Sequence, residues 1–160
     1  MEQSKETLRK GIGGWLILPL LGLIISPLRL IYMIYDDLWP IFSPDYWAEL
    51  TTPDSPSYHP LWYSLLVFEV VGNLVIFLLG LAALLSFLRK SRKTPRLVII
   101  WLFLAFVFAA ADAYFKGFIP GAAEQLDYMT PSDIWRTGIT ALIWIPYFLA
   151  SKRVKATFLN

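Results

Sequence analysis

The chain contains no cysteine and only one histidine, His59, and these absences exclude several kinds of site. Without cysteine there is no disulfide, no thiolate metal site and no cysteine nucleophile. A single histidine cannot supply the histidine cluster of a zinc site. Nothing in the sequence orders Ser57 or Ser64 relative to His59, so no serine nucleophile with its base is indicated. We therefore predict a protein without a metal, a cofactor or a catalytic activity.

Charged residues are also scarce. They make up 16% of the chain, against roughly 25% in ordinary globular proteins. Hydrophobic residues make up 57%, and the long apolar runs leave little of the polar surface that a soluble domain needs. The length of 160 residues suits one domain. The composition therefore favours a single membrane domain comprising residues 1–160.

Long apolar runs, by contrast, are present. Apolar runs of this kind predict membrane-spanning helices, and we place them at about residues 15–35, 61–88, 97–115 and 134–150. The first run is too long for a signal peptide, contains Pro19 and Pro27, and is not followed by a cleavage site, so we expect it to be retained. Because short links place consecutive helices side by side, we predict an all-α, antiparallel bundle of four transmembrane helices.

The basic residues predict the orientation of this bundle. The segment 89–96, which links the second and third spans, holds five positive charges in eight residues. Together with residues 1–10 and the tail 151–160 it holds 11 of the 14 lysines and arginines. Basic segments remain on the cytoplasmic side of membranes. We therefore predict cytoplasmic termini and assign segment 89–96 to contact with anionic lipid, not nucleic acid.

The two predicted outer loops, 36–60 and 116–133, have the opposite character. They contain eight acidic residues and one basic residue, Lys116. In the first loop, Ser43-Pro44-Asp45 is typical of a helix start. The Tyr46, Trp47 and Leu50 side chains then share one side of a short helix, which we expect at the membrane surface. Residues Thr130-Pro131-Ser132-Asp133 have the spacing of a second helix start.

Four ionisable residues lie inside the predicted spans, one in each: Arg29, Glu69, Asp112 and Arg136. At 1.5 Å per residue they lie about 5–10 Å from the outer ends of the spans. They share helix faces with small and polar residues, which allow membrane helices to approach closely. Because charge within a bilayer faces a partner or water, we predict one interior network, open to the outer side, whose candidate binding residues are Arg29, Glu69, Asn73, Asp112 and Arg136. Two interpretations remain open: the charges fix helix register, or they bind or conduct a polar group, proton or lipid headgroup.

Several segments resemble a known bacterial family. These are Gly11-Ile12-Gly13-Gly14-Trp15-Leu16, Ser26-Pro27-Leu28-Arg29, Tyr58-His59-Pro60-Leu61-Trp62, Trp144-Ile145-Pro146-Tyr147-Phe148 and Ser151-Lys152-Arg153-Val154-Lys155-Ala156-Thr157-Phe158. They are similar to domain-of-unknown-function family 2569, small inner-membrane proteins with four predicted spans. The resemblance runs nearly end to end and implies a bacterial inner-membrane location. It brings no activity, cofactor or catalytic residue.

These observations predict a non-catalytic membrane binding or accessory protein. Its outer polar network and acidic, aromatic loop would engage a lipid or a partner protein, or the chain would form a homo-oligomer. The alternative is a small transporter or channel for a polar solute, a proton or a lipid. Such a path would need polar lining in the inner half of the spans, where little is present beyond Asn73, Ser86 and Thr140.

Overall fold

The computed structural model describes residues 11–122 and 131–158. These residues form helices joined by turns, and no strand occurs among them. The helices are α1 (Gly14–Ile41), α2 (Pro44–Thr51), α3 (Trp62–Leu88), α4 (Thr94–Lys116), α5 (Pro131–Ala150) and α6 (Lys152–Phe158). The prediction of an all-helical fold is confirmed for this part of the chain.

Helices α1, α3 and α4 are long and apolar enough to cross a membrane, and the apolar part of α5, Ile134–Ala150, is shorter. Large apolar side chains on these helices face outward; Leu142, for example, is 76% exposed and Leu149 is 62% exposed. An apolar surface of this extent suits contact with lipid and not with water. All four predicted spans are thus helical, while the crossing of the fourth and the antiparallel topology of the whole bundle stay predictions.

Helix α1 continues past the predicted span 15–35. It begins with a 3₁₀ turn, Gly14–Leu16, and passes through a π-helical turn, Ile34–Leu38, before ending at Ile41. Pro27 lies inside the helix and is buried. Since proline has no N–H to donate, it removes one intrahelical hydrogen bond at this point.

The turn between α3 and α4 is shorter than the predicted basic segment 89–96. Helix α3 ends at Leu88 and α4 begins at Thr94, so Arg96 belongs to the first turn of α4. The fully buried Thr94 donates a hydrogen bond from Oγ1 to the Ser86 carbonyl oxygen at 2.8 Å. This hydrogen bond closes the turn and holds the adjoining ends of the two helices together.

Helix α4 is central, because it packs against both α3 and α5, whereas α1 packs against α3. Aromatic rings of α4 lie against glycines of its neighbours: Phe108 contacts Gly72, and Phe106 contacts Gly138. Small residues allow such close approach between membrane helices. Farther along α3, Gly80 lies against Trp101, which precedes Phe108 on α4. The order of the contacts is thus reversed between the two helices, so α3 and α4 run antiparallel.

Two apolar clusters form the interior. The loop-end core contains Ile41, Leu50, Trp62, Leu65, Leu66, Ile119 and Ala122. The turn-end core contains Leu16, Leu23, Ala83, Phe87, Val98, Trp101, Leu102, Ala141, Phe148, Val154 and Phe158.

Helix α2 begins at Pro44 after Ser43, as predicted, although the Ser43 side chain makes no capping hydrogen bond. Leu50 of α2 is 1% exposed and packs into the loop-end core.

The C-terminal tail is part of the fold, which the sequence interpretation missed. The Ser151 hydroxyl accepts hydrogen bonds from the backbone N–H groups of Arg153 and Val154 and caps α6. Val154 and Phe158, one turn apart, are buried in the turn-end core, and the Phe158 ring lies 5.0 Å from that of Phe87. The other predicted helix start is only partly visible: α5 begins at Pro131, and Thr130 lies outside the described residues.

Candidate functional site

A cleft with a volume of about 430 Å³ lies between α1 and α5, and α3 and α4 form its floor. We call it the α1/α5 cleft. Its lining extends from Leu18 to Met33 on α1 and from Arg136 to Trp144 on α5. Most of the lining side chains are aliphatic or aromatic. The volume falls within the range of roughly 300–1,000 Å³ that is usual for small-molecule sites.

Three of the five predicted network residues line this cleft: Arg29, Asn73 and Arg136. Both arginine side chains are exposed, and each also interacts with another group of the protein. The Thr140 hydroxyl, one turn after Arg136, donates to the Arg136 carbonyl oxygen at 2.6 Å. This hydroxyl hydrogen is used within its own helix, and the two arginines are the charged donors among the described residues that line the cleft.

Asn73 is buried, with 3% of its surface exposed. Its side-chain nitrogen Nδ2 has no hydrogen-bond acceptor among the described residues. A buried donor without an acceptor is energetically unfavourable by about 1–3 kcal/mol. Asn73 therefore places an unsatisfied donor in the wall of the cleft.

The other two predicted residues, Glu69 and Asp112, form ion pairs with Lys116. The Lys116 ammonium lies 3.0 Å from Glu69 Oε1 and 2.8 Å from Asp112 Oδ2. Exposure is 6% for Lys116 and 1% for each acid. We call these three residues the ion cluster. Because buried carboxylates need opposite charge nearby, Lys116 stabilises both acids and joins α3 to α4.

Lys116 is the residue of this site that sequence reasoning missed. It was assigned to the outer loop 116–133, and that assignment is wrong, because α4 extends to Lys116 and its side chain is buried. The available signal was the spacing of Asp112 and Lys116. Residues four apart on a helix lie on one face and pair readily when their charges are opposite.

The five predicted residues thus lie in two adjoining places. Glu69 belongs to the ion cluster and Asn73 to the cleft lining, and the two are one turn apart on α3. Along α3, this polar layer separates the loop-end core from the turn-end core. The acids Glu124 and Asp127 of the second predicted loop lie outside the described residues.

Near the basic turn, two segments of the chain that are distant in sequence meet. The Thr157 hydroxyl of α6 donates to the Gly11 carbonyl oxygen at 3.3 Å. The Arg153 guanidinium lies against Gly13 and Gly14, where an added Cβ would come within 2.9 Å of its terminal nitrogens. These segments are the glycine-rich start and the charged ending on which the family resemblance rests.

A family model described as "Protein of unknown function (DUF2569)" matches residues 9–159. The chain belongs to the DUF2569 family. This DUF2569 chain is also similar to the inner membrane protein YdgK of Escherichia coli strain K12, with 30% identity over 159 residues. The alignment covers 93% of this chain and 94% of the relative. No solved structure matches this chain. The resemblance to this family that was stated from the sequence is therefore confirmed. The prediction of a membrane protein with several apolar helices is confirmed as well.

Proposed function

We propose that this DUF2569 protein is a non-catalytic, multi-pass protein of the bacterial inner membrane that binds a lipid in the α1/α5 cleft. The observation that carries the proposal is the cleft itself, which lies between two helices that expose apolar side chains. Its lining is mostly apolar, with a polar end at Arg29, Asn73 and Arg136. A lipid has the same division between apolar chains and a polar head.

The length of the cleft supports an acyl chain as its occupant. Eleven residues separate Leu18 from Arg29, which corresponds to about 16 Å along α1 at 1.5 Å per residue. One leaflet of a bilayer has a hydrocarbon thickness of about 15 Å, half of the whole. A chain that begins near Arg29 would therefore reach the apolar side chains of Leu18, Val98 and Trp144.

The proposed orientation keeps both termini in the cytoplasm and places four antiparallel helices across the membrane. The distribution of lysine and arginine supports it, since 11 of the 14 lie in residues 1–10, 89–96 and 151–160. The inner-membrane relative supports the compartment. In this orientation the arginine end of the cleft belongs to the outer half of the membrane.

The alternative, a channel for a polar solute or a proton, has less support. Towards the basic turn the cleft is lined by Leu18, Val98, Trp101 and Trp144, which offer little polar lining to a hydrophilic solute. Engagement of a partner protein or a second copy stays a prediction of the sequence. The residues available for it include Tyr35 and Trp39, which are 76% and 70% exposed.

Filling the cleft tests the proposal. Gly22 lines the cleft, and a Cβ added there meets no atom within 4 Å. Gly22→Phe therefore places a ring where the acyl chain would lie. Leu21→Phe is the matched control, because Leu21 is the adjacent residue, is 46% exposed and does not line the cleft.

Each variant is extracted gently from membranes, and the lipid retained per protein is measured by native mass spectrometry. We expect the wild-type protein and Leu21→Phe to retain a lipid that Gly22→Phe loses. Equal retention by all three proteins would reject the cleft as a lipid site. A second polypeptide or a second copy in the wild-type spectrum would instead support the partner or homo-oligomer prediction.

A further inference from the structure

We infer that the α1/α5 cleft selects an anionic phospholipid, whose phosphate oxygens accept hydrogen bonds from Arg29 and Arg136. The inference rests on the proposed lipid-binding function and names the class of headgroup. It begins with two arginines on different helices, α1 and α5, that line one cavity. Guanidinium groups bind phosphate through paired, charge-assisted hydrogen bonds.

The charge of the cleft is complementary to an anion. Among the described residues that line it there are two arginines and no aspartate or glutamate. The nearby acids, Glu69 and Asp112, do not line the cleft, and the Lys116 ammonium offsets one of their two negative charges. A headgroup that enters the cleft therefore meets a guanidinium from each of the two helices, which repels the cation of a zwitterionic headgroup and favours an anionic one.

Arg29 and Arg136 each also interact with another group of the protein, which is compatible with this role. A guanidinium carries five N–H donors, so it can keep one partner and still donate to a phosphate. The long side chain of arginine also lets the charged group reach toward the polar edge of the membrane while its methylene stem stays in the apolar region. Both side chains are exposed in the structure.

Asn73 supplies a second, independent observation. Asn73 lines the same cleft, and its buried Nδ2 has no acceptor among the described residues. A phospholipid carries acceptor oxygens on both its phosphate and its ester groups, either of which would satisfy this donor. Between Asn73 and the basic turn the cleft lining is apolar. This favours a lipid over a free phosphate ion, because inorganic phosphate has no apolar group to fill that part of the cleft.

The experiment compares phosphatidylglycerol with phosphatidylcholine that carries the same acyl chains. Each lipid is titrated into the purified, delipidated protein in detergent, and bound lipid is counted by native mass spectrometry. We expect the wild-type protein to prefer phosphatidylglycerol by about tenfold or more, because both lipids carry a phosphodiester but the choline ammonium of phosphatidylcholine is repelled by the two guanidinium groups. Arg29→Gln and Arg136→Gln should each weaken the binding of phosphatidylglycerol more than that of phosphatidylcholine and so remove most of this preference, because both lipids lose a hydrogen bond to phosphate but only phosphatidylcholine is relieved of repulsion from its own cation.

Arg89→Gln is the matched control, since Arg89 lies in the basic turn and not in the cleft. It should keep the wild-type preference, which separates the cleft arginines from general attraction of lipid to basic residues. Asn73→Leu should weaken the binding of both lipids. The wild-type comparison needs no variant, so the inference stays testable even if a cleft substitution impairs folding.

Failures of the two proposals are distinguishable. Equal binding of both lipids by the wild-type protein, with both lost in Gly22→Phe, would overturn the anionic selection and keep the lipid site. Binding unaffected by Gly22→Phe would overturn both. Displacement of phosphatidylglycerol by equimolar inorganic phosphate would show that the cleft recognises the free ion, and would overturn the commitment to a lipid.

Discussion

The Lys116 ammonium lies 2.8 Å from the Asp112 carboxylate, one helical turn earlier on α4, and both residues are buried. The same ammonium lies 3.0 Å from Glu69 on α3. A lysine at the last position of a helix thus connects two helices through the interior. It offsets one of two negative charges that an apolar environment would otherwise disfavour.

We predict that Lys116→Met strongly destabilises the protein. It leaves two buried carboxylates without their common counterion, and loss of one partner from a buried ion pair is unfavourable by about 3–5 kcal/mol. The melting temperature in detergent measures the effect. Lys93→Met, which removes an exposed lysine in the basic turn, should melt with the wild type.

A combined variant sharpens this prediction. Lys116→Met together with Glu69→Gln and Asp112→Asn removes the cation and both negative charges. It should recover a large part of the lost melting temperature, because the penalty arises from uncompensated charge and not from the lysine stem. A single Lys116→Met variant with wild-type stability would contradict the role that we assign to the ion cluster.

Two glycine substitutions should have opposite outcomes. A Cβ at Gly72 would overlap the ring of Phe108, whereas a Cβ at Gly22 meets no atom within 4 Å. We expect Gly72→Ala to destabilise by about 1–3 kcal/mol, the usual effect of overpacking. Gly22→Ala should be neutral or slightly stabilising, since alanine is the better helix former. Thermal unfolding of both variants checks this, and similar melting temperatures would refute the close packing of α3 on α4.

Phe158→Ala tests whether the C-terminal helix is part of the core. Phe158 is 1% exposed and packs against Phe87. Removal of a buried phenylalanine ring is usually unfavourable by about 3–5 kcal/mol. The control is Lys155→Ala on the exposed side of the same helix, which should leave the melting temperature unchanged. Equal stability of both variants would mean that residues 152–158 do not contribute to the folded core.

The absence of native cysteine makes the orientation directly measurable. We expect Ser91→Cys, in the basic turn, to react with a membrane-impermeant maleimide only after the cytoplasmic side is opened. Thr52→Cys, in an exposed position after α2, should react in intact spheroplasts. The reversed pattern would overturn the cytoplasmic placement of the termini, and labelling of both sites from one side would overturn the crossing of α3.

Hydropathy and local signals predicted much of this fold. The second span was placed at 61–88 and α3 is Trp62–Leu88; the third was placed at 97–115 and α4 is Thr94–Lys116. The helix start at Ser43-Pro44 was also predicted correctly. Each of these features depends on the residues of one segment, so the linear sequence contains the necessary information. Segment ends were predicted less accurately, and the extension of α1 to Ile41 was missed.

The sequence by itself therefore determined a helical membrane protein, its apolar segments and the set of polar residues inside them. Only the tertiary structure decided that Lys116 pairs with Glu69 and Asp112, that Arg29, Asn73 and Arg136 line one cleft, and that α6 returns to the glycine-rich start. The physical reason is that hydropathy sums contributions along one segment. The rotation and packing of each helix against its neighbours depend instead on side chains from all of them, such as Phe108 against Gly72.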